Sequence, residues 1–169
     1  MARKVFFSFH YKPDNWRASQ VRNIGVIEGN EPCSDNDWES VTQGGPQAIE
    51  RWIAEQIKGR SCAVVLVGTQ TSERKWVIHE IQESWNSGMG VVGIRIHNLK
   101  DRAGDQCASG VNPFDHLHFV DKPTKLLSSV AKLYDPPFTT STYVYSHIQE
   151  NLEDWIEEAV EIKKSFKLT

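Results

Sequence analysis

The run Ser61-Cys62-Ala63-Val64-Val65-Leu66-Val67 decides the fold. It is uninterrupted by charge, rich in valine and shows no polar–apolar alternation. A strand with one wet face alternates, whereas a continuous apolar run is what a strand needs when both its faces are covered. The flanking sequence agrees. Residues 46–58 place Ile49, Trp52, Ile53 and Ile57 at i, i+3, i+4 and i+8, an amphipathic helix, and Gly59 stands where that helix must stop. Residues 72–87 put Val77, Ile81, Ser84 and Trp85 on one stripe and end at Gly88, predicting a second helix. Residues 91–96 (VVGIRI) and residues 4–9 (KVFFSF) read as further buried strands. Strands alternating with helices predict an α/β fold built on a parallel sheet.

The remaining segments are less regular. Pro13 suits the first turn of a helix over 14–24, where Trp16, Val21 and Ile24 are loosely spaced. Residues 25–46 read as a long polar loop with a short strand near 25–27, and loops of that length tend to be functional. Residues 98–121 read as loop ending in a short strand at 118–120. Pro123, Pro136 and Pro137 leave room only for a short helix around 124–133. A long last helix spans 143–166. Its apolar stripe is Tyr145, Ile148, Leu152, Trp155, Ile156, Ala159 and Val160. Its outer side carries Glu150, Glu153, Asp154, Glu157, Glu158 and Glu161, read as a solvated face, with Lys163, Lys164 and Lys167 at the end where cations favour the helix dipole.

Composition removes several classes of function. The 169 residues carry 19 Lys+Arg against 22 Asp+Glu, a net charge of −3. That argues against a nucleic-acid binder, which neutralises phosphates with clustered cations. The three cysteines, Cys33, Cys62 and Cys107, are widely spaced with no CxxC pair, so no structural zinc motif is present. An odd, unpaired set fits a reduced cytoplasm. The apolar stretch after Arg3 and Lys4 is too short for a signal peptide or a membrane span. The expectation is one cytoplasmic domain over 1–169, with no membrane partner.

In open α/β sheets ligands bind at the carboxyl ends of the strands. Those ends hold Ser8-Phe9-His10, Gly68-Thr69-Gln70-Thr71 and His97-Asn98. No GxGxxG, GxxxxGK[ST] or GxSxG follows a strand, and the acidic residues of a response-regulator receiver are missing. The carboxylate that stands out is Glu80. It lies one helical turn after Trp76, at the margin of the apolar stripe of its helix, where partial desolvation raises a pKa. Spacing alone leaves open a surface glutamate beside a structural tryptophan. Asp115-His116-x-His118 is a weak metal pattern, and no metal is expected. His10 either lines a pocket or is half exposed, His79 faces solvent, and Cys62 is a small buried hydrophobe.

The strand Val5-Phe6-Phe7-Ser8-Phe9, the helix–loop–helix after it, Ala63-Val64-Val65-Leu66-Val67 and Ser72-x-x-x-Trp76-Val77-x-x-Glu80 together resemble a TIR domain. The resemblance is closer to the TIR-like branch found in Thoeris antiphage defence. The shared features are KVFFSFHY at 4–11, Val67-Gly68-Thr69-Gln70-Thr71, Arg74-Lys75-Trp76-Val77, Val92-Gly93-Ile94-x-Ile96 and Asn112-Pro113-Phe114-Asp115. The resemblance implies a flavodoxin-like three-layer sandwich with a central parallel sheet of about five strands. It implies cleavage of the nicotinamide–ribose bond of NAD, with NAD as substrate rather than cofactor, and a cyclic ADP-ribose-type product (or ADP-ribose) that activates a separate effector protein. Glu80 is the catalytic residue it implies, with Ser8, Phe9, His10, Trp38, Thr69, Trp76 and Asn112 around the substrate. Asn112 and Asp115 either touch substrate or organise their own loop. Residues 25–46 depart from the family's assembly loop, although a homo-oligomer is expected. The same fold also serves as a non-enzymatic interaction or nucleotide-binding module.

Overall fold

The computed structural model describes residues 3–25, 27–30, 35–119 and 123–167. In chain order the elements are β1 (Arg3–Phe9), α1 (Tyr11–Arg22), β2 (Ile27–Glu28), α2 (Asp35–Thr42), α3 (Pro46–Ile57), β3 (Cys62–Val67), α4 (Lys75–Asn86), β4 (Gly90–Arg95), β5 (Leu133–Tyr134) and α5 (Ser141–Lys167). Short 3-10 turns lie at Thr71–Glu73, Pro113–His116 and Leu127–Ser129. The strands form one five-stranded sheet in the order β2-β1-β3-β4-β5, and each pairing is parallel. The fold is α/β, flavodoxin-like. Strand order reverses between β1 and β3, the position where ligands bind in this topology.

Two apolar layers sandwich the sheet. Successive side chains of a strand point to opposite faces. On β1, Val5, Phe7 and Phe9 enter the layer made by α1 and α5, together with Val64, Leu66, Val92 and Ile94. Phe6 points the other way, into the layer built from α3 and α4, with Ala63, Val65, Val67 and Val91. All of β3 is buried, as its unbroken run requires. Gly59 follows α3 with φ +75°, a left-handed conformation that glycine adopts without a Cβ penalty.

The structure corrects several expectations. The 25–46 loop contains a helix, α2, whose Trp38 is buried. The fifth strand is Leu133–Tyr134, not 118–120. His118 makes only an isolated antiparallel bridge to Leu126, and residue 120 lies outside the described residues. Strand β5 is held by Tyr134, whose ring stacks on Trp155 at 4.4 Å and 9° and whose hydroxyl donates to Glu158. Glu158 and Glu157 are therefore not simply solvated. Glu157 accepts from Arg3 Nε at 2.6 Å, tying α5 to the start of the sheet. Helix α1 begins at Tyr11 and leaves Trp16 51% exposed. Its inward face joins the buried Ala18 and Val21 to a buried ion pair, Asp14 and Arg17, at 3.2 Å. Among the described residues no helix is long and apolar enough to cross a membrane.

Candidate active site

The site is assembled from the ends of β1 and β3 and the start of α4. Ser8 is two residues after Phe6 on β1, so strand alternation turns its side chain toward α4. Helix α4 presents Trp76, Val77, Glu80, Ile81, Ser84 and Trp85 inward. Glu80 is the one carboxylate on that face and is only 3% exposed, more deeply enclosed than its position at the margin of the stripe indicates. The Ser8 hydroxyl donates to Glu80 Oε1 at 2.9 Å.

Electrostatics follow from that enclosure. Burial disfavours the carboxylate and pushes the Glu80 pKa up to about 8, while the Ser8 hydrogen bond opposes the rise by favouring the charged form. A carboxyl held near neutrality at a strand-end site marks a functional candidate on physical grounds. It titrates where a small change in surroundings, such as an arriving cation, decides its charge.

Aromatic side chains cluster around Trp76, the buried residue one turn before Glu80 on α4. His10, the residue after β1, is buried with its ring edge-on to Trp76 at 6.1 Å. Trp38 of α2 lies 5.9 Å from Trp76, 5.6 Å from Trp52 and 6.4 Å from His79. His79 is exposed, yet its ring is part of this stack. The Arg74 guanidinium sits 3.9 Å from the centre of the Trp76 ring. Sequence reading missed Arg74 and Trp52 as members of this group. A cation two residues before the Trp76/Glu80 pair was the available signal for the first, since guanidinium groups favour indole faces.

A second polar pair braces the same edge. Asp14 packs so closely on Gly68 that a Cβ there would lie 2.1 Å from Asp14 Oδ2. Burial raises the Asp14 pKa, and Arg17 works against it. Arg17 also donates to the carbonyl oxygens of Leu99 and Asp105 at 2.9 and 2.8 Å, fastening α1 to the loop after β4.

The structure thus pairs Ser8 with Glu80 and gathers His10 and Trp38 around Trp76, which shares the buried face of α4 with Glu80. It places the other expected residues elsewhere. The Phe9 ring lies in the α1/α5 layer, stacked with Tyr11 at 6.3 Å, because alternation turns it to the opposite face of the sheet from Ser8. The Thr69 hydroxyl donates to the Ala108 carbonyl and so fastens the 98–112 segment. Asn112 accepts from the Phe114 amide at 2.9 Å and caps a 3-10 turn. Asp115, His116 and His118 are exposed, and among the described residues no three His, Cys, Asp or Glu side chains are grouped to hold a metal. The Cys62 thiol is buried, which pushes its pKa up to about 12, as expected of an inert core residue. Cys107 is half-buried, and Cys33 lies outside the described residues.

Comparison with known proteins bears on this arrangement. Residues 6–101, from β1 through β4, match the family model described as "Thoeris protein ThsB, TIR-like domain". This chain belongs to the ThsB TIR-like family. Its strand-end carboxylate, serine and tryptophan all fall inside the matched span. A relative from Bacillus cereus (strain MSX-D12), named "Putative cyclic ADP-D-ribose synthase ThsB1", is 36% identical over 124 residues, covering 70% of this chain. The chain spans 65% of that relative's length.

Proposed function

We propose that this ThsB-family chain cleaves the nicotinamide–ribose bond of NAD, with Glu80 as the carboxylate beneath the ribose, and releases a cyclic ADP-ribose-type product. The observation that carries the reading is the buried Ser8–Glu80 pair at the β1/β3 switch point. The name of the Bacillus cereus relative supports the same class of chemistry.

The reaction breaks the bond between ribose C1′ and the cationic nicotinamide nitrogen. The bonding electrons go to nitrogen, so nicotinamide leaves neutral and needs no strong acid. Positive charge moves to C1′ and the ring oxygen. A preorganised carboxylate in a water-poor site stabilises such a charge well. With its pKa pushed up to about 8, Glu80 is mostly protonated at pH 7 before substrate arrives. The cationic nicotinamide ring draws it into the ionised form, and the Ser8 hydrogen bond holds the oxygen that faces it. The aromatic side chains of Trp38, Trp76 and His10 exclude water and suit the flat pyridinium, and Arg74 sits where an anionic diphosphate gains from a cation. Attack at C1′ by an adenine nitrogen of the same molecule closes a ring, whereas attack by water gives ADP-ribose. The product activates a separate effector protein.

The test is to incubate the chain with NAD and weigh the products. Nicotinamide together with a product lighter than ADP-ribose by one water supports cyclisation, and nicotinamide with ADP-ribose supports hydrolysis. NAD left intact by lysates of infected cells that contain the chain contradicts both.

A further inference from the structure

A separate cleft opens on the carboxyl edge of the sheet beyond the Glu80 site. It has a volume of about 440 Å³ and lies where β4 and β5 run into the start of α5. Its apolar wall is Phe138 and Tyr143, 42% and 60% exposed, with rings edge-on at 6.0 Å. Its polar wall is His97, Asn98, Asp135 and Thr139. A smaller hollow of about 290 Å³ shares the same two aromatic rings and continues to His147 and Glu150. His147 lies edge-on to Phe138 at 5.7 Å.

The cleft is preformed. Asn98 Nδ2 donates to the Phe138 carbonyl at 3.2 Å, and Gln106 Nε2 donates to the carbonyls of Asn98 and Thr139 at 2.7 and 2.6 Å. The Lys100 amide donates to Ser141 Oγ at 3.1 Å. Pro136 and Pro137 fix the backbone between Asp135 and Phe138. Two large rings left in water on so rigid a frame are a standing cost unless something flat covers them.

We infer that this cleft binds a purine nucleoside, its base lying against Phe138 and Tyr143 and its exocyclic amine donating to Asp135. A base has a π-face for the rings, and aromatic platforms gain most from the larger bicyclic bases. A carboxylate accepts from an exocyclic amino group, which uracil lacks; uracil's one ring donor, N3–H, lies between two carbonyl oxygens that a carboxylate repels. Thr139 and Asn98 offer partners for ribose hydroxyls. Burial holds His97 below the ordinary histidine range, with Asp135 pulling the other way, so it meets the ligand as a neutral ring. The nucleoside is either the adenosine half of NAD or a free purine nucleotide acting on the enzyme. The inference does not rest on NAD cleavage, because AMP has no nicotinamide–ribose bond.

The experiment is calorimetric titration of the full chain with AMP, GMP and UMP. AMP or GMP binds, and UMP binds at least about tenfold more weakly. Phe138→Ala and Tyr143→Ala each weaken purine binding by about tenfold or more, with circular dichroism showing that both variants keep the fold; Tyr143, at 60% exposed, is the variant whose melting temperature stays unchanged. Asp135→Asn reduces it further for AMP, and Glu80→Gln leaves it intact. A competition arm in the Glu80→Gln chain separates the two sources. If NAD displaces AMP and nicotinamide mononucleotide does not, the cleft holds the substrate's own adenosine. If AMP and NAD bind together, it serves a free nucleotide. No binding of AMP or GMP at millimolar concentration overturns the inference. So does equal affinity in the Phe138 and Tyr143 variants, or loss of binding in Glu80→Gln.

Discussion

Ser8 and Glu80 are 72 residues apart in sequence, yet the Ser8 hydroxyl donates to the Glu80 carboxyl at 2.9 Å with both residues almost wholly enclosed. The chemistry proposed for this chain depends on that contact. Burial alone favours a neutral Glu80, and the hydroxyl returns part of the stability of the charged form.

The pH profile follows from the sign of the shift. In the free protein Glu80 is protonated below about 8, so kcat/KM for NAD rises with pH through that value and levels off above it. Ser8→Ala removes the interaction that favours the charged form, so the limb moves to higher pH and activity at pH 7 falls by roughly tenfold. A profile measured from pH 6 to 10 in both chains checks this.

Stability responds to the same group in the opposite direction. The folded-state pKa of Glu80 lies above its unfolded value of 4.5. The unfolded chain therefore ionises this group first, and its contribution to stability, fully present below pH 4.5, is lost as pH rises toward 8. Glu80→Gln keeps the size and the hydrogen bond to Ser8 without a titrating proton. Its melting temperature exceeds that of the wild type by about 5–10 °C at pH 8, and the gap closes by pH 5. A constant gap across that range contradicts the burial assigned to Glu80.

Gly68→Ala drives a methyl group into Asp14 Oδ2. Overpacking of this kind costs about 1–3 kcal/mol, read from the urea midpoint. In an Asp14→Ala background the clash is gone, so the two substitutions couple by about 1 kcal/mol or more. Additive effects rule out the contact as the reason for glycine at this position.

Trp38→Ala opens the aromatic stack over Trp76 and leaves a cavity against Trp52. Stability falls by about 3–5 kcal/mol. Trp38→Phe retains the stack and most of the stability, and KM for NAD rises in both variants more than kcat falls.

The parts of the fold legible in the sequence are those with long, regular patterns. The valine run of β3, the helical stripes of α3, α4 and α5 and the strong β1 all stand where periodicity places them. Helix α2 was not legible, because Asp35–Thr42 carries one large apolar side chain and is anchored by that tryptophan's contacts to Trp52 and Trp76. Strand β5 has two residues, too few for a period, and is fixed by Tyr134 against Trp155. Of the apolar positions expected for α1, Val21 and Ile24 are buried but Trp16 is not, because the inward positions of the first turns are taken by the Asp14–Arg17 pair, which no apolar spacing reveals. In the site, helical spacing found Glu80 but put it at the edge of its stripe. Its contact with Ser8, 72 residues away, is made only by the tertiary fold.

The most direct measurement compares wild-type and Glu80→Gln chains in extracts of phage-infected cells, following nicotinamide release and ADP-ribose-type products by mass spectrometry. The proposed mechanism predicts both in the wild type and a loss of at least about 100-fold in Glu80→Gln, with the variant folded and present at equal amount. Equal product formation by the two chains contradicts it and leaves the fold to serve as an interaction module.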